Sequence, residues 1–150
     1  MSPSLNKELY MNHFDMKLLA KSKNEAFARN VVASFAIECS PTLEEINDIK
    51  TAVSEAVTNV VVHAYDKNES GIVQLECDVD EAERSIEIVV RDFGKGIDNV
   101  KEAIEPFFTT ASDDERSGMG FTIIETFMDE MEVTSVKGEG TVVRMKKVMK

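Results

Sequence analysis

Apolar residues recur along this chain with two different periods, and the change of period predicts where strands and helices lie. A brief alternation of apolar and polar residues over His13–Leu19 predicts a strand. Phe27, Val31 and Phe35 follow at a spacing of four, which predicts a helix. A longer apolar stripe over Ile46–Ala64 predicts a second helix. The first half of the chain therefore combines one strand with two amphipathic helices.

Both predicted helices are preceded by the residue spacing of a capping box. Ser22 and Glu25 have the S-x-x-E spacing, and Thr42 and Glu45 repeat it one helix later. In a capping box, the hydroxyl accepts from a backbone N–H of the first turn, and the glutamate reaches back to the cap. The pattern predicts that the helices begin at these two residues.

The second half of the chain reads as two pairs of strands around a loop and a helix. The predicted strands are approximately 72–79, 85–91, 130–136 and 141–148. Residues 92–117 are rich in glycine and acids and are predicted to be mostly loop, with a short helix near 100–104. A helix over 120–129 follows. Because the strands are grouped as hairpins, this order predicts an α+β sandwich with helices on one face.

Composition indicates a single domain without a membrane segment. The chain has 150 residues and a net charge of −11, which disfavours direct binding to nucleic acid phosphates. We expect residues 1–11 to be a flexible extension and residues 12–150 to be one domain. Cys39 and Cys77 lack metal-site spacing and read as reduced thiols of a cytoplasmic protein. An acidic surface favours either simple solubility or a basic protein partner.

A line of polar residues on the second predicted helix is the first candidate for chemistry. Glu55, Asn59 and His63 follow one another at a spacing of four and so share one helical line. This line is either the solvated face of an amphipathic helix or part of a site. Asn is a poor helix former, and a carboxylate one turn from an amide oxygen can pair a general base with a metal ligand.

Asp92, Gly94 and Gly96 directly follow a predicted strand and form the second candidate. An acid at a strand end can accept a hydrogen bond from an exocyclic amine, and glycine lets backbone approach a ligand closely. The alternative is an ordinary surface turn, because Asp and Gly are common in turns.

Two further glycine pairs lie later in the chain. Gly118 and Gly120 lead into a predicted helix, whose first N–H groups could bind phosphate or could simply be capped. Gly138 and Gly140 separate two strands and predict a hairpin turn, which could still present the hydroxyl of Thr141 to a base.

Taken together and in this order, these motifs resemble the GHKL ATPase superfamily, which includes gyrase, Hsp90, histidine kinases and MutL. The three boxes that carry the resemblance are Glu55-x-x-x-Asn59, Asp92-x-Gly94-x-Gly96 and Gly118-x-Gly120. The stretches Glu55–Tyr65, Glu115–Ile123 and Asn24–Arg29 are similar to bacterial anti-sigma serine kinases, and specifically to their sporulation branch. The resemblance covers the chain from about residue 13.

The resemblance implies a fold, two ligands and several partners. The fold would be a two-layer α/β sandwich of the Bergerat type, with a mixed, mostly antiparallel sheet and helices on one face. The ligands would be ATP or ADP and Mg²⁺. The protein would be a homodimer that sequesters the sporulation sigma factor, sigma F, and phosphorylates a serine of the anti-anti-sigma factor SpoIIAA. It would bind neither nucleic acid nor membrane.

The resemblance also implies roles for individual residues. Glu55 would be the general base, Asn59 would hold Mg²⁺, Asp92 would bind the adenine amine, and the segment 106–117 would be a mobile ATP lid. The implied nucleotide-binding residues are Asn59, His63, Asp92, Gly94, Gly96, Ile97, Thr109, Thr110, Arg116, Ser117, Gly118, Met119, Gly120, Phe121 and Thr141. The residues implied to contact protein partners are Arg29, Glu115, Arg116 and Ile123.

Three other functions remain open from the sequence. A general-stress anti-sigma kinase shares the boxes, although the run over residues 116–121 favours the sporulation branch. A non-catalytic module gated by ATP would need no carboxylate beside Asn59. A stand-alone ATPase would use water as its phosphate acceptor.

Overall fold

Five antiparallel strands form one sheet in the computed structural model, which describes residues 9–105 and 120–150. The strands are β1 (Met11–Leu19), β2 (Ile72–Asp80), β3 (Ser85–Asp92), β4 (Glu130–Val136) and β5 (Gly140–Val148). Their order in the sheet is β1-β2-β3-β5-β4. The predicted sandwich is confirmed, and every predicted strand is present. The sheet is not mixed among the described strands, because each of its pairings is antiparallel.

The helices pack against one face of this sheet. They are α1 (Lys23–Ala36), α2 (Leu43–Asn59), α3 (Val100–Ile104) and α4 (Gly120–Phe127). A 3₁₀ turn over Ile37–Cys39 extends α1, and a π turn over Val60–Ala64 extends α2. The predicted second helix is therefore present, but its last residues wind more widely than an α-helix.

The core lies between the helices and the inner face of β2 and β3. Alternate residues of β2 are buried, as expected for a strand with one covered face. The helices supply the opposing apolar residues. The largest side chains of this core include Ile49, Val53, Leu75, Ile88, Ile124 and Met145, all fully buried. Burial of each such side chain stabilises the fold by roughly 1.5–3 kcal/mol.

Both cysteines belong to this core. Cys39 and Cys77 are buried free thiols. Loss of solvent around each thiol raises its pKa above the ordinary value. They contribute apolar volume to the core as neutral thiols.

Only one of the two predicted capping boxes forms. At the start of α2, Glu45 N donates to Thr42 Oγ1 at 3.1 Å, and Thr42 N donates to Glu45 Oε1 at 2.8 Å. The helix begins after Ser22 as predicted, but the box does not form, because the backbone of Ser22 is helical (φ −51°, ψ −42°) and its side chain makes no cap bond. Glu25 instead accepts from Arg29 and from Ser54. A capping box requires an extended cap residue, which Thr42 provides with ψ of 166°.

The first strand is longer than the sequence predicts and begins at Met11. Residues 1–8 lie outside the described part of the chain, so the N-terminal extension stays a prediction. None of the helices formed by residues 9–105 and 120–150 is long and apolar enough to span a bilayer.

Candidate functional site

A cavity of about 530 Å³ opens between the C-terminal part of α2 and the ends of β3 and β5. Its walls combine small apolar residues with a few polar groups, as ligand pockets generally do. Eight of the predicted nucleotide-binding residues line it together. They are Asn59, His63, Asp92, Gly96, Ile97, Gly120, Phe121 and Thr141.

The polar line on α2 is divided between the cavity and the protein surface. Asn59 and His63 line the cavity, together with Ala56 from the same helix. Glu55 does not line it and is half-buried in a shallower depression next to Arg29. The line is therefore not simply a solvated helix face, since all three of its members are partly buried.

Asp92 is the buried acid of the cavity. Its Oδ1 accepts from Gly94 N at 3.0 Å and from Thr141 N at 3.2 Å. Its Oδ2 has no hydrogen-bond partner in the part of the chain that the structure describes. Burial raises the pKa of the Asp92 carboxyl, and the two backbone donors only partly offset this effect. The carboxyl is thus held at the end of β3 as a strong acceptor in a poorly solvated place.

Gly94 allows the loop after β3 to contact the end of the π turn. A Cβ at Gly94 would lie 2.0 Å from the carbonyl oxygen of Ala64, so no other residue fits without movement. The same carbonyl accepts from Lys95 N at 2.9 Å. Gly94 itself does not line the cavity, and its contribution is to bring the loop close to the helix.

The turn between β4 and β5 forms a third wall. Gly140 has a φ of +130°, and a Cβ there would lie 2.1 Å from Asp92 O. Gly138 N donates to Lys95 O at 2.7 Å, which ties this turn to the loop after β3. The predicted hairpin is confirmed, and it places Thr141 beside Asp92.

Ser135 joins these segments, and sequence reasoning did not find it. Its Oγ accepts from Ile97 N at 2.7 Å, donates to Gly140 O at 3.0 Å, and lies 2.9 Å from Thr141 Oγ1. The available signal was the hairpin itself, because a short turn at Gly138 pairs Ser135 with Thr141 across the two strands.

Tyr65, the residue after the π turn, connects this turn to β2 and to the loop after β3. Its hydroxyl donates to Ile72 O at 2.6 Å and accepts from Phe93 N at 2.8 Å. Its ring covers Gly71, where a Cβ would lie 2.2 Å from a ring carbon. The end of the helix and the ends of β2 and β3 are thereby fixed around one side chain.

The start of α4 closes the cavity over Asn59. A Cβ at Gly120 would lie 3.1 Å from Asn59 Oδ1, so the helix start and the amide are in close contact. Phe121 adds an aromatic wall. Ile123 is half-buried on α4 and does not line the cavity.

Several predicted residues fall outside the described part of the chain, and their roles stay predictions. They are Thr109, Thr110, Glu115, Arg116, Ser117, Gly118 and Met119. The predicted lid over 106–117 lies there as well.

The cavity also has a charged rim that sequence reasoning missed. Five of its residues come from the loop after β3, from α3 and from the β4–β5 turn, and two of them form an exposed ion pair, Lys137 with Asp98 at 3.5 Å. The five are Lys95, Asp98, Asn99, Glu102 and Lys137. Such residues are typical of exposed segments in general, so no sequence pattern singles them out.

Comparison with known protein families shows which family has this fold and these motifs. Residues 19–147 match the model of the histidine kinase-like ATPase domain. The chain belongs to the histidine kinase-like ATPase family. The resemblance inferred from the three boxes is therefore confirmed, and membership of this family implies that the domain binds ATP or a related nucleotide.

Three curated relatives that share more than half of the aligned residues are all named anti-sigma F factor. The chain is 54% identical to the anti-sigma F factor of Caldanaerobacter subterraneus subsp. tengcongensis, over 92% of this chain and 94% of that protein. It is 52% identical to the anti-sigma F factor of Clostridium beijerinckii, over 91% of this chain and 94% of the relative. For that of Clostridium acetobutylicum the identity is 53%, over 91% and 93%.

Solved structures agree on the fold. The RsbU and RsbW domains of a Mycobacterium tuberculosis protein superpose with a TM-score of 0.65 at 18% identity, covering 91% of this chain and 32% of that one. The catalytic domain of histidine kinase ThkA gives 0.52 at 20% identity, covering 69% and 67%. These similarities establish the architecture alone.

Proposed function

We propose that this chain is an ATP-dependent protein serine kinase and anti-sigma factor, which binds sigma F and phosphorylates a serine of SpoIIAA. Over the aligned 91–92% of the chain, more than half of the residues are identical to those of three proteins named anti-sigma F factor. The proposal includes a homodimer, as the resemblance to this class implies.

The position of Glu55 is the observation that carries the kinase assignment. It lies one helical turn before Asn59, about 6 Å along the axis of α2. Asn59 lines the cavity, whereas Glu55 lines the adjacent surface depression with Arg29. A carboxylate at this boundary can reach a hydroxyl that a protein presents from outside while the nucleotide occupies the cavity. This favours a protein acceptor over an enclosed water molecule.

The residues of the cavity fit an adenine nucleotide. Asp92 Oδ2 is a buried acceptor with no partner among the described residues, and an exocyclic amine would satisfy it. The apolar walls suit the faces of a planar ring, and Gly120 brings the start of α4 beside Asn59 for the phosphates.

The same residues fit Mg²⁺ only as a partner of the nucleotide. Within residues 9–105 and 120–150, no three His, Cys, Asp or Glu side chains are grouped to hold a metal ion. Asn59 offers one amide oxygen to the cavity. Mg²⁺ commonly takes one or two protein ligands and completes its shell with phosphate oxygens and water. When bound, the ion would neutralise phosphate charge, with Asn59 as its protein ligand.

The protein's own part in the transfer is positioning and proton removal. Asp92 and Thr141 orient the base, and the start of α4 directs backbone N–H groups towards the phosphates. Glu55 takes the proton of the attacking serine hydroxyl. Proton removal by a placed base typically accelerates such a step by about 10²–10⁴-fold.

Glu55→Gln tests the assignment. The variant keeps the size of the side chain and one acceptor oxygen but cannot take up the proton. We expect phosphate transfer from radiolabelled ATP to SpoIIAA to fall by about 10²–10⁴-fold, with ATP affinity unchanged by calorimetry. Glu44→Gln, an exposed change in the first turn of the same helix, is the matched control and is expected to keep full activity.

The same incubation separates the alternative functions. Labelled SpoIIAA supports the kinase, released phosphate supports an ATPase, and neither product supports a binding module that ATP merely gates. Full transfer by the Glu55→Gln variant would overturn the role of Glu55. Capture of sigma F in the presence of ATP or ADP tests the anti-sigma activity independently.

A further inference from the structure

We propose that Ser135 is a positioning residue that fixes the hydroxyl proton of Thr141, so that the polar edge of the cavity formed by Thr141 Oγ1 and Asp92 Oδ2 presents only acceptors to a bound base. The inference rests on the proposed nucleotide function. It attributes the selectivity of the cavity for a 6-amino purine partly to Ser135, a residue that does not line the cavity. It follows from counting protons around one oxygen atom.

Ser135 Oγ has three neighbours within hydrogen-bond distance. Ile97 N is at 2.7 Å, Gly140 O is at 3.0 Å and Thr141 Oγ1 is at 2.9 Å. A serine hydroxyl has one proton to donate and two lone pairs to accept with. The three neighbours use this capacity completely.

Only one assignment of protons satisfies all three contacts. The backbone N–H of Ile97 can only donate, and the carbonyl of Gly140 can only accept. Ser135 must therefore give its single proton to Gly140 O. The remaining contact requires that Thr141 donate its own hydroxyl proton to Ser135.

This assignment determines what Thr141 offers to a ligand. With its proton directed at Ser135, Thr141 Oγ1 presents lone pairs to the cavity that it lines. Asp92 lies beside it, because Thr141 N donates to Asp92 Oδ1 at 3.2 Å, and contributes a second acceptor, Oδ2. The polar edge is therefore made of acceptors.

An edge of acceptors distinguishes purines by the group at position 6. The amino group of adenine donates to it, whereas the carbonyl oxygen of a 6-oxo purine would oppose it with lone pairs. Without Ser135, the hydroxyl of Thr141 can rotate and donate to such an oxygen. The residue therefore restricts the choice of base without touching it.

The ratio of ATP affinity to ITP affinity, measured by calorimetry on the full chain, tests the proposal. ITP carries the 6-oxo base on the same triphosphate. Ser135→Ala is expected to lower this ratio by about tenfold, the size of one ordinary hydrogen bond. Ser135→Thr keeps the hydroxyl and is expected to retain the wild-type ratio.

A purely structural role predicts a different result. If Ser135→Ala weakens ATP and ITP by the same factor, the residue only supports the loops and the proposal is wrong. In a Thr141→Val background, Ser135→Ala is expected to leave the ratio unchanged, since the hydroxyl it controls is gone. A further fall in that background would also overturn the proposal.

Two controls keep the outcome interpretable. Should Ser135→Ala not fold, Thr141→Val alone carries the same test: a lowered ratio supports the acceptor edge, and an unchanged ratio contradicts it. Failure of the wild-type chain to bind ATP would instead refute the proposed function, so the two failures are distinguishable.

Discussion

Burial of Asp92 has two opposite effects: it lowers the stability of the free protein and it strengthens binding of a ligand. Its carboxyl is only 6% exposed, so the ionised form costs stability in the free protein. The same burial makes it a strong acceptor for a ligand. Because burial raises its pKa, the native state binds this proton more tightly than the unfolded chain does. Stability therefore falls as pH rises from the unfolded pKa through the raised native one.

The substitution Asp92→Asn tests the effect on stability and the effect on ligand binding separately. The amide oxygen can still accept from Gly94 N and Thr141 N, while the buried charge disappears. We expect a melting temperature at neutral pH about 2–4 °C higher for each ~1 kcal/mol recovered. ATP affinity should fall by at least about tenfold, because an amide N–H would face the exocyclic amine. Scanning calorimetry and titration calorimetry measure the two effects.

The pH dependence of ATP binding provides a second test of the role of Asp92. Wild-type ATP binding should weaken as pH falls through the raised pKa, because a proton on Oδ2 would turn the atom that faces the amine into a donor. The Asp92→Asn variant should lack this step. Equal ATP affinity in the two proteins at neutral pH would contradict the role of Asp92.

Single residues were predictable from sequence when local chain chemistry decides their role. Asp92 follows a strand and precedes two glycines, and Asn59 lies inside the predicted second helix, where asparagine is unfavourable. Ser135 carries no such mark, because its importance comes from strand register and from Ile97, which lies 38 positions away. A role that depends on a long-range contact leaves no local pattern.

At the scale of elements, the site is held by backbone contacts between the π turn and the loop after β3. Ala64 O accepts from Lys95 N, and Gly94 leaves room for that carbonyl. π turns are rare and occur often at functional sites, where they widen the end of a helix. The end of the helix is therefore joined directly to the loop after β3.

Gly94→Ala is expected to disturb this junction. The new Cβ would lie 2.0 Å from Ala64 O, so the two segments must separate. We expect a loss of about 1–3 kcal/mol in the free energy of unfolding, together with weaker ATP binding. Urea denaturation and titration calorimetry measure the two quantities.

Gly138→Ala provides the matched control. A Cβ there meets nothing within 4 Å, although its φ of +82° still costs about 1 kcal/mol. Its ATP affinity should match the wild type. Should Gly94→Ala bind ATP as tightly as Gly138→Ala does, the junction does not control the cavity.

Elements were predicted well where a hydrophobic period defines them, and less well where dihedral angles do. The stripe over Ile46–Ala64 indicated a helix but not its π turn, which depends on packing against the loop after β3. The box at Ser22 had the right residues, yet a helical backbone at that position prevents capping. Residue type alone does not determine which conformation tertiary contacts select.

At the scale of the whole molecule, the cavity is surrounded by elements that are distant in sequence. α2, the loop after β3, α4 and the β4–β5 hairpin each supply a wall. A ligand that touches all four adds to their mutual attachment. Nucleotide binding and global stability are therefore expected to be linked.

Removal of nucleotide should lower the melting temperature. A ligand at 100 times its dissociation constant stabilises the native state by about 2.7 kcal/mol. For a domain of this size, that corresponds to a shift of about 5–11 °C. Scanning calorimetry with and without Mg²⁺ and ATP measures it. The Asp92→Asn variant should show a much smaller shift at the same ATP concentration, and an equal shift would mean that ATP binds elsewhere.

The burial of both cysteines has a practical consequence for attaching spectroscopic probes to this protein. Thiol reagents attack thiolates, and at Cys39 and Cys77 the thiolate is both shielded and disfavoured by a raised pKa. A cysteine introduced at an exposed position would react first with a spectroscopic probe. The native chain thus provides a background that is nearly silent to labelling, in which one probe reports on one place.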